Sequence, residues 1–201
     1  MMRRVRKQLA FAQLLLAPTL AAWPTATTEM DLQPESTLWV EGTSSVRGYK
    51  CNAAVLNAEL QTAAGNAVAA ILAGDKAVSS ADLTIEAAKL ECGNGTMNGH
   101  MRKAIKAEAN PAILFKLASY ELTKSADTLR IEMTGDLTLA GAQKTITLTA
   151  LAKDGGNGTL VVEGTHELKM TEYGINPPKL MLGTLKVHDK VKVGFSLVLK
   201  D

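Results

Sequence analysis

The sequence predicts an all-β protein, built from about eight or more antiparallel strands with one short helix. Three observations lead to this class. Apolar and polar residues alternate with a period of two in most segments, which puts one parity of each strand on an apolar face. Short links such as "KDGGNG" at 153–158 separate these segments, whereas parallel strands would need crossovers of a dozen residues or more. A single segment has clear helical spacing.

The first 22 residues have the three parts of a secretory signal peptide. "MMRRVRK" carries four positive charges and no acid, and an apolar stretch ending in small residues follows it. That stretch is shorter than the ~20 residues of a membrane-spanning helix. The alternative is a retained amphipathic anchor. Residues 23–35 are polar and contain proline, so they predict a flexible tether before a domain at 36–201.

Strand-like alternation occupies most of that domain. Between residues 187 and 191, "VHDKV" predicts a tight hairpin, and "LAGAQK" at 139–144 predicts another turn. The predicted strands cover residues 37–41, 49–60, 83–87, 113–121, 129–133, 137–139, 145–150, 160–170 and 191–199.

The helix is predicted over residues 98–107. Met97, Met101 and Ile105 recur at helical spacing there, and "NP" at 110–111 ends the run. The Ala-rich segment at 62–77 stays ambiguous, because alanine favours a helix whereas two glycines interrupt it. A flexible connection or an added hairpin fits that segment equally well.

The two cysteines, Cys51 and Cys92, predict a disulfide. An even pair in an exported protein is most simply a bridge, with Cα atoms ~4.4–6.8 Å apart. In the cytosol the same pair would indicate two buried thiols. No C-x-x-C spacing is present to indicate a zinc or redox site.

Composition and motifs narrow the function classes. Without residues 1–22 the formal net charge is −2, which argues against nucleic-acid binding. The three histidines lie far apart, and no nucleophile elbow or nucleotide-binding glycine motif is present. His166 shares the apolar parity of its strand, which fits a core or pocket-edge histidine better than a catalytic one. No catalytic residue, metal ligand or cofactor is therefore predicted.

Four stretches resemble the YceI-like proteins. They are "VEGTSSVRGYKC", "MNGHMRKAIKAEANPAILFKL", "GDLTLAGAQKTITL" and "MTEYGINPPKLMLGTLKVHDKVKVGFSLVL". The resemblance spans about residues 36–200 and keeps the order of all four. Tyr49 stands where an aromatic residue, often tryptophan, is usual, and Glu172 and Tyr173 replace a more frequent Asp-Phe pair.

The resemblance implies a lipocalin-like antiparallel β-barrel, although periodicity alone leaves a two-sheet sandwich open. It also implies export to the periplasm as a soluble protein with no stable membrane insertion. A homodimer is compatible with the sequence, and no protein partner is identified. The implied ligand is an isoprenoid lipid of the quinone or prenyl-phosphate type, held in the interior without catalysis. A filled barrel that serves as a protein-interaction or stress-response module is the alternative, and an isoprenoid-modifying enzyme is a third.

One elongated apolar cavity is expected, because a barrel turns one parity of each strand inward. Ala150 and Gly135 are expected to leave room in it, and Lys103 and Lys179 are candidates to meet a phosphate at a mouth. The predicted ligand-binding residues are Met101, Ile105, Phe115, Leu117, Ile131, Met133, Ile146, Leu148, Tyr173 and Val193.

Pro177 and Pro178 interrupt the strand pattern near the C-terminal end. Proline cannot donate a hydrogen bond to a ladder, so the pair predicts an unpaired segment at one end of the sheet. Two interpretations remain: a cover over one mouth of the barrel, or a rigid corner that contacts no ligand.

Overall fold

A computed structural model gives the structure of residues 28–63, 65–125 and 128–201. The predicted signal peptide at 1–22 lies outside these residues. Within them, the strands are β1 (Thr28–Leu32), β2 (Thr37–Ser44), β3 (Gly48–Ala53), β4 (Leu56–Thr62), β5 (Val78–Glu86), β6 (Leu90–Glu91), β7 (Ala112–Ser125), β8 (Thr128–Leu139), β9 (Ala142–Gly156), β10 (Thr159–Lys169), β11 (Lys179–Leu180) and β12 (Leu185–Lys200). The helices are α1 (Ala67–Ala73) and α2 (Gly95–Ala104).

Eight of these strands close into an antiparallel barrel, which confirms the predicted fold class. The order around the barrel is β1, β4, β5, β7, β8, β9, β10 and β12, and pairing of β1 with β12 completes the circle. β2 pairs with the same edge of β12 as β1 does, but farther along that strand. β3 pairs with β2, and β6 pairs with β3, so these strands extend the sheet beyond the barrel. Pairing between neighbouring strands around the circle encloses an interior.

The strand that closes the barrel lies in the segment predicted as a tether, so that prediction is wrong for residues 28–32. Thr28, Glu29 and Met30 pair with β4, and Asp31 and Leu32 pair with the end of β12. Met30 is 2% exposed. The sequence signal for this strand is the short alternation of acidic and apolar residues at 29–32, which the prolines at positions 24 and 34 obscure.

Two helices, and not one, are present in the described part of the chain. α2 begins three residues before its predicted start, because the Asn94 side chain accepts a hydrogen bond from the Met97 amide at 2.9 Å. It ends at Ala104, after which Lys106 takes a left-handed conformation. α1 occupies the ambiguous Ala-rich segment and stops at Gly74, which is also left-handed.

β12 runs without a break through the segment predicted as a hairpin, so the hairpin prediction at 187–191 is wrong. Val187 pairs with Ser44 and Val191 with Gly42, so β12 contributes extra residues opposite β2. Such a bulge kinks a strand without reversing it. The polar "HDK" residues that indicated a turn are the bulged residues.

The predicted disulfide is confirmed. Cys51 of β3 is bonded to Cys92, which lies between β6 and α2, and their Cα atoms are 4.0 Å apart. This is slightly closer than the ~4.4–6.8 Å usual for such bridges. The bond fixes the start of α2 to the outer part of the sheet.

The buried residues form two clusters, one towards each end of the barrel. Ala67, Val68 and Ile71 of α1 pack against residues such as Leu129 and Leu160 at one end. Ile105 packs against residues such as Leu168 and Val191 at the other. We call these the α1 end and the α2 end of the barrel.

Candidate ligand cavity

A cavity of about 260 Å³ lies inside the barrel between the two end clusters. Ile71 of α1 and Met101 of α2 both border it, so it extends from one end to the other. Along β8, residues from Ile131 to Leu139 line the wall, a span of roughly 26 Å at ~3.3 Å per residue. The cavity is therefore long and narrow.

Nine of the ten residues predicted to bind a ligand lie on the wall of this cavity. Their strands alternate inward and outward as the period-two pattern predicts, and α2 presents its apolar side to the same space. The nine are Met101, Ile105, Phe115, Leu117, Ile131, Met133, Ile146, Leu148 and Val193.

Tyr173 is the exception and does not line the cavity. It lies in a 3₁₀ turn (Met170–Tyr173) after β10, is 1% exposed and packs within the cluster of the α2 end. The turn rotates Tyr173 away from the lumen, and Met170 and Ile175 on either side of it line the cavity instead. Burial raises the pKa of the Tyr173 hydroxyl, with a smaller contribution from Glu172.

Ala150 also differs from its predicted role. It has the inward parity of Ile146 and Leu148, but it is 1% exposed and packs in the cluster of the α1 end, outside the cavity wall. It therefore leaves no free space beside it. A larger side chain there would disturb the core before it could obstruct a ligand.

Tyr120 lines the cavity and was missed because β7 contains a bulge. Leu117 pairs with Gly135 and Ser119 with Thr134, so Ala118 is the extra residue and the inward parity shifts by one. Residues 120 and 122 then point inward, where the pattern of residues 113–117 would place them outward. The sequence signal is a switch of the apolar residues from odd positions up to Leu117 to even positions from Tyr120.

Three polar side chains interrupt the otherwise apolar wall: Tyr49, Tyr120 and His166. Burial lowers the pKa of His166, and the nearby Glu167 only partly opposes this. The imidazole is therefore kept neutral at neutral pH. Burial also raises the pKa of both tyrosine hydroxyls, so these remain protonated.

Asp82 borders the wall, but its side chain is 44% exposed and its carboxylate is directed away from the lumen. Its Oδ2 lies 3.7 Å from the Nζ atom of Lys116, in the ion pair between neighbouring strands. Its Oδ1 is buried and has no hydrogen-bond partner among the described residues. Phe115 and Leu117, on either side of Lys116, face the lumen, so this ion pair has the outward parity and lies on the outer face of the barrel.

Three inward-facing aromatic rings lie flat against glycines of neighbouring strands. A Cβ atom added at Gly164 would be 2.6 Å from Phe195 Cζ, and one added at Gly135 would be equally close to Phe115 Cζ. Tyr49 lies against Gly42 in the same way. Because glycine has no side chain, each ring can fold onto the wall, and the lumen stays open.

Pro177 and Pro178 lie between the 3₁₀ turn and β11, at the α2 end. Both are half-buried, and the carbonyl oxygen of Pro178 accepts a hydrogen bond from the Val187 amide at 3.0 Å. Ile175, two residues earlier, borders the cavity. The prolines thus join a wall residue to the bulged part of β12 without needing donors of their own.

Lys103 and Lys179, the candidate phosphate ligands, are both exposed and do not line the cavity. Across residues 28–63, 65–125 and 128–201, no group of three or more His, Cys, Asp or Glu side chains is arranged to hold a metal ion. In the same ranges no helix has the length and apolar character needed to cross a membrane.

Comparison with known families gives one match that covers most of the chain. A family model described as the YceI-like domain matches residues 35–199. No curated protein sequence matches the chain.

Solved structures with the same fold come from several bacteria. Burkholderia cenocepacia BcnA has a TM-score of 0.66 at 18% identity, covering 84% of this chain and 99% of that one. A polyisoprenoid binding domain from Saccharophagus degradans has a TM-score of 0.62 at 15% identity, covering 88% and 99%. The Campylobacter jejuni YceI protein has a TM-score of 0.55 at 20% identity, covering 74% and 82%. At these identities the similarity establishes the fold.

Proposed function

The chain belongs to the YceI-like family, and from that premise we propose that it is a lipid-binding barrel. Its ligand is a single polyisoprenoid chain, of the quinone or prenyl-phosphate type, that lies along the barrel interior. The protein sequesters or carries this lipid through an aqueous compartment and performs no chemistry on it. The observation that carries the proposal is the narrow apolar cavity between α1 and α2.

The physical basis is burial of hydrocarbon. Each CH₂ group removed from water contributes ~0.8 kcal/mol, so a few isoprene units give a large gross driving force. Part of it is offset by the lost freedom of a flexible chain and by the cost of association. A cavity of about 260 Å³ lies just below the ~300–1,000 Å³ typical of small-molecule sites, which suits a slender ligand.

An unfilled interior favours the carrier over the alternative of a plugged interaction module. In a plugged barrel, large side chains would meet across the lumen, whereas here Phe115, Phe195 and Tyr49 lie against glycines of the wall. The similar Saccharophagus degradans domain is described as polyisoprenoid binding. That description supports the same class of ligand for this chain.

We further propose a periplasmic location. The first 22 residues have the composition of an export signal. The disulfide between Cys51 and Cys92 suits an oxidising compartment. A lipid that must cross the aqueous periplasm gives such a carrier its role.

The test is to identify lipid that remains bound after purification of the protein from the periplasm of a bacterial host. Mass spectrometry of an organic extract should find a prenyl lipid in stoichiometric amount. Replacing Leu148, which lines the cavity, by tryptophan should reduce binding about tenfold or more, because the larger side chain occupies the lumen.

Leu151→Trp is the matched control. Leu151 lies on the same strand with the opposite parity and is 50% exposed, so tryptophan there points into solvent. If Leu148→Trp folds and binds prenyl lipid as well as Leu151→Trp does, the ligand does not occupy the barrel. The filled-module interpretation would then replace the carrier.

A further inference from the structure

Two neighbouring segments form a lip at the α2 end of the barrel. The lip consists of residues 44–48, between β2 and β3, and residues 179–186, around β11 and the start of β12. The Ser45 amide donates to the Lys186 carbonyl at 2.9 Å, and the Lys186 amide donates to Ser45 Oγ at 3.1 Å. The Ser45 hydroxyl also donates to the Thr184 carbonyl at 3.2 Å. These bonds hold the two segments together.

The lip carries two large apolar side chains that project into water. Val46 is 70% exposed and Leu182 is 109% exposed. The other exposed large apolar residues of the described chain, Leu114 and Leu151, are 42% and 50% exposed and lie on strands. Leu182 also has a left-handed backbone (φ 56°), which costs free energy for any residue other than glycine. Exposure of these apolar side chains and the left-handed backbone at Leu182 both lower the stability of the free protein.

The charges of the lip are all positive. Arg47, Lys179 and Lys186 are exposed, and neither segment contains an aspartate or glutamate. In the part of the chain that the structure describes, none of these three cations forms an ion pair, whereas Lys190 and Lys192 farther along β12 pair with Glu167 and Glu41. The lip is therefore a cationic, apolar tip on a chain whose formal net charge without residues 1–22 is −2.

The lip lies beside the cavity. The Val187 amide, immediately after the lip, is bonded to the Pro178 carbonyl, immediately before it. Ile175, which precedes the prolines, lines the cavity wall. A surface that contacts the lip would consequently face the α2 end of the lumen.

We propose that the lip docks the protein onto an anionic lipid bilayer. Val46 and Leu182 enter the boundary between headgroups and acyl chains, while Arg47, Lys179 and Lys186 contact the anionic headgroups. Apolar side chains surrounded by Lys and Arg are the combination that gives reversible interfacial binding. The purpose assigned to this contact, transfer of a prenyl chain between bilayer and barrel, rests on the proposed carrier function.

Flotation with lipid vesicles tests the docking separately from ligand binding. The disulfide-bonded parent should float with vesicles of phosphatidylcholine and phosphatidylglycerol, less with phosphatidylcholine alone, and less at high salt. Val46→Ser combined with Leu182→Ser, and separately Arg47→Gln combined with Lys186→Gln, should each reduce binding to the anionic vesicles about tenfold. Leu151→Ser, which removes an exposed leucine elsewhere, should bind like the parent.

Circular dichroism and binding of a detergent-delivered prenyl lipid verify that the lip variants are folded. Their ligand affinity from solution should equal that of the parent, while their extraction of the same lipid from vesicles should slow about tenfold. A parent that does not float, or lip variants that float as well as it does, would overturn the docking proposal. The proposal would also be overturned if the lip variants float like the parent but differ from it in oligomeric state, because the lip would then contact a second copy of the chain.

The carrier proposal can fail without the docking proposal. A parent that floats with anionic vesicles but binds no prenyl lipid would support the lip as a membrane contact. It would contradict only the assigned ligand.

Discussion

The ring of Tyr49 lies directly over Gly42 on the neighbouring strand, so close that a Cβ atom at Gly42 would be 2.2 Å from the tyrosine hydroxyl. The two residues are paired in register between β2 and β3. Tyr49 also lines the cavity. The absent side chain at position 42 therefore determines where this ring lies and how wide the lumen is at the α2 end.

Gly42→Ala is expected to push the Tyr49 ring off the wall and narrow the cavity. The close atoms at this site all belong to the tyrosine side chain, and Gly42 does not have a positive φ, so the backbone can remain in place. Loss of contact with about two CH₂ groups of a ligand would weaken binding about tenfold. Titration with a fluorescent prenyl lipid measures this change.

Gly194→Ala provides the matched control. An added Cβ there would also meet only an aromatic side chain, that of Trp39, at 2.4 Å. Trp39 does not line the cavity, and Lys50 Nζ lies 4.4 Å from the centre of its ring. Ligand affinity should be unchanged in this variant. Equal losses of affinity in the two variants would mean that the effect arises from general destabilisation of the sheet.

Much of the barrel wall could be predicted from the alternation of apolar residues. In β8 and β9, Ile131, Met133, Ile146 and Leu148 follow a strict period of two and all line the cavity. These strands pair without a bulge, so the parity read at one position holds along the whole strand. The choice of barrel over sandwich came from the family resemblance, because parity does not specify whether a sheet closes.

The sequence predictions differ from the structure where the backbone departs from a regular β-ladder. The bulge near Ala118 shifted the parity of β7, so Tyr120 was missed. The bulge between Val187 and Val191 has the polar composition of a turn. Tyr173 lies off the cavity wall because it belongs to a 3₁₀ turn, whose periodicity differs from that of a strand. In each case tertiary packing selects the local geometry, and the residue types alone permit more than one.

Two further departures from the sequence predictions, α1 and β1, both lie at the α1 end of the barrel. The Ala-rich α1 could not be distinguished from a flexible link, because its stability comes from packing of Val68 and Ile71 against strands distant in sequence. β1 is only five residues long and follows a polar stretch. Its role in closing the barrel depends on pairing with β12, near the other end of the chain.

Removal of the disulfide should destabilise the protein. Cys51→Ser combined with Cys92→Ser opens a loop with a sequence separation of 41 residues. The chain-entropy estimate for such a loop gives a loss of about 2–4 kcal/mol in the free energy of unfolding. Urea unfolding followed by circular dichroism measures it. Reduction of the parent should reproduce the loss, while the reductant should not change the double variant.

His166 should make the stability of the fold depend on pH. Burial lowers the pKa of this imidazole, so as the pH falls below about 6.5 the unfolded chain binds a proton that the folded chain does not. The free energy of unfolding should therefore decrease as the pH falls from about 6.5 towards the lower folded pKa, and be independent of this group above that range. The neighbouring Glu167, paired with Lys190, reduces the effect.

His166→Leu should remove this dependence, and urea unfolding at about pH 7 and pH 5 would measure it. The exposed His188 provides the control variant, His188→Gln. If the parent and His166→Leu lose equal stability on acidification, the pH dependence originates in other groups.

The wall between β5 and β7 is only partly closed by backbone hydrogen bonds. The two strands pair from Asp82 to Glu86, opposite 112–116, and residues 78–81 are not paired with β7. Hydrogen bonds from side chains link the two strands in this unpaired region instead. The Val78 amide donates to the Tyr120 hydroxyl at 3.0 Å, and Lys76 Nζ donates to Glu121 Oε1 at 2.7 Å. We call this region the β5–β7 seam.

Tyr120→Phe should loosen the seam with little change to the shape of the cavity. The ring is retained, but the Val78 amide loses its acceptor, which should cost about 1 kcal/mol in the free energy of unfolding. Local opening should increase more visibly than global unfolding, because few other bonds hold residues 78–81 to β7. Hydrogen exchange of the amides at 78–81 should be faster, and a bound prenyl lipid should dissociate faster with a smaller change in affinity.

Glu121→Gln is the control variant. It removes the exposed ion pair with Lys76 and should have a weaker effect on exchange and dissociation, since such pairs contribute little. If Tyr120→Phe leaves exchange at 78–81 and ligand dissociation unchanged, the tyrosine hydroxyl does not hold the seam closed.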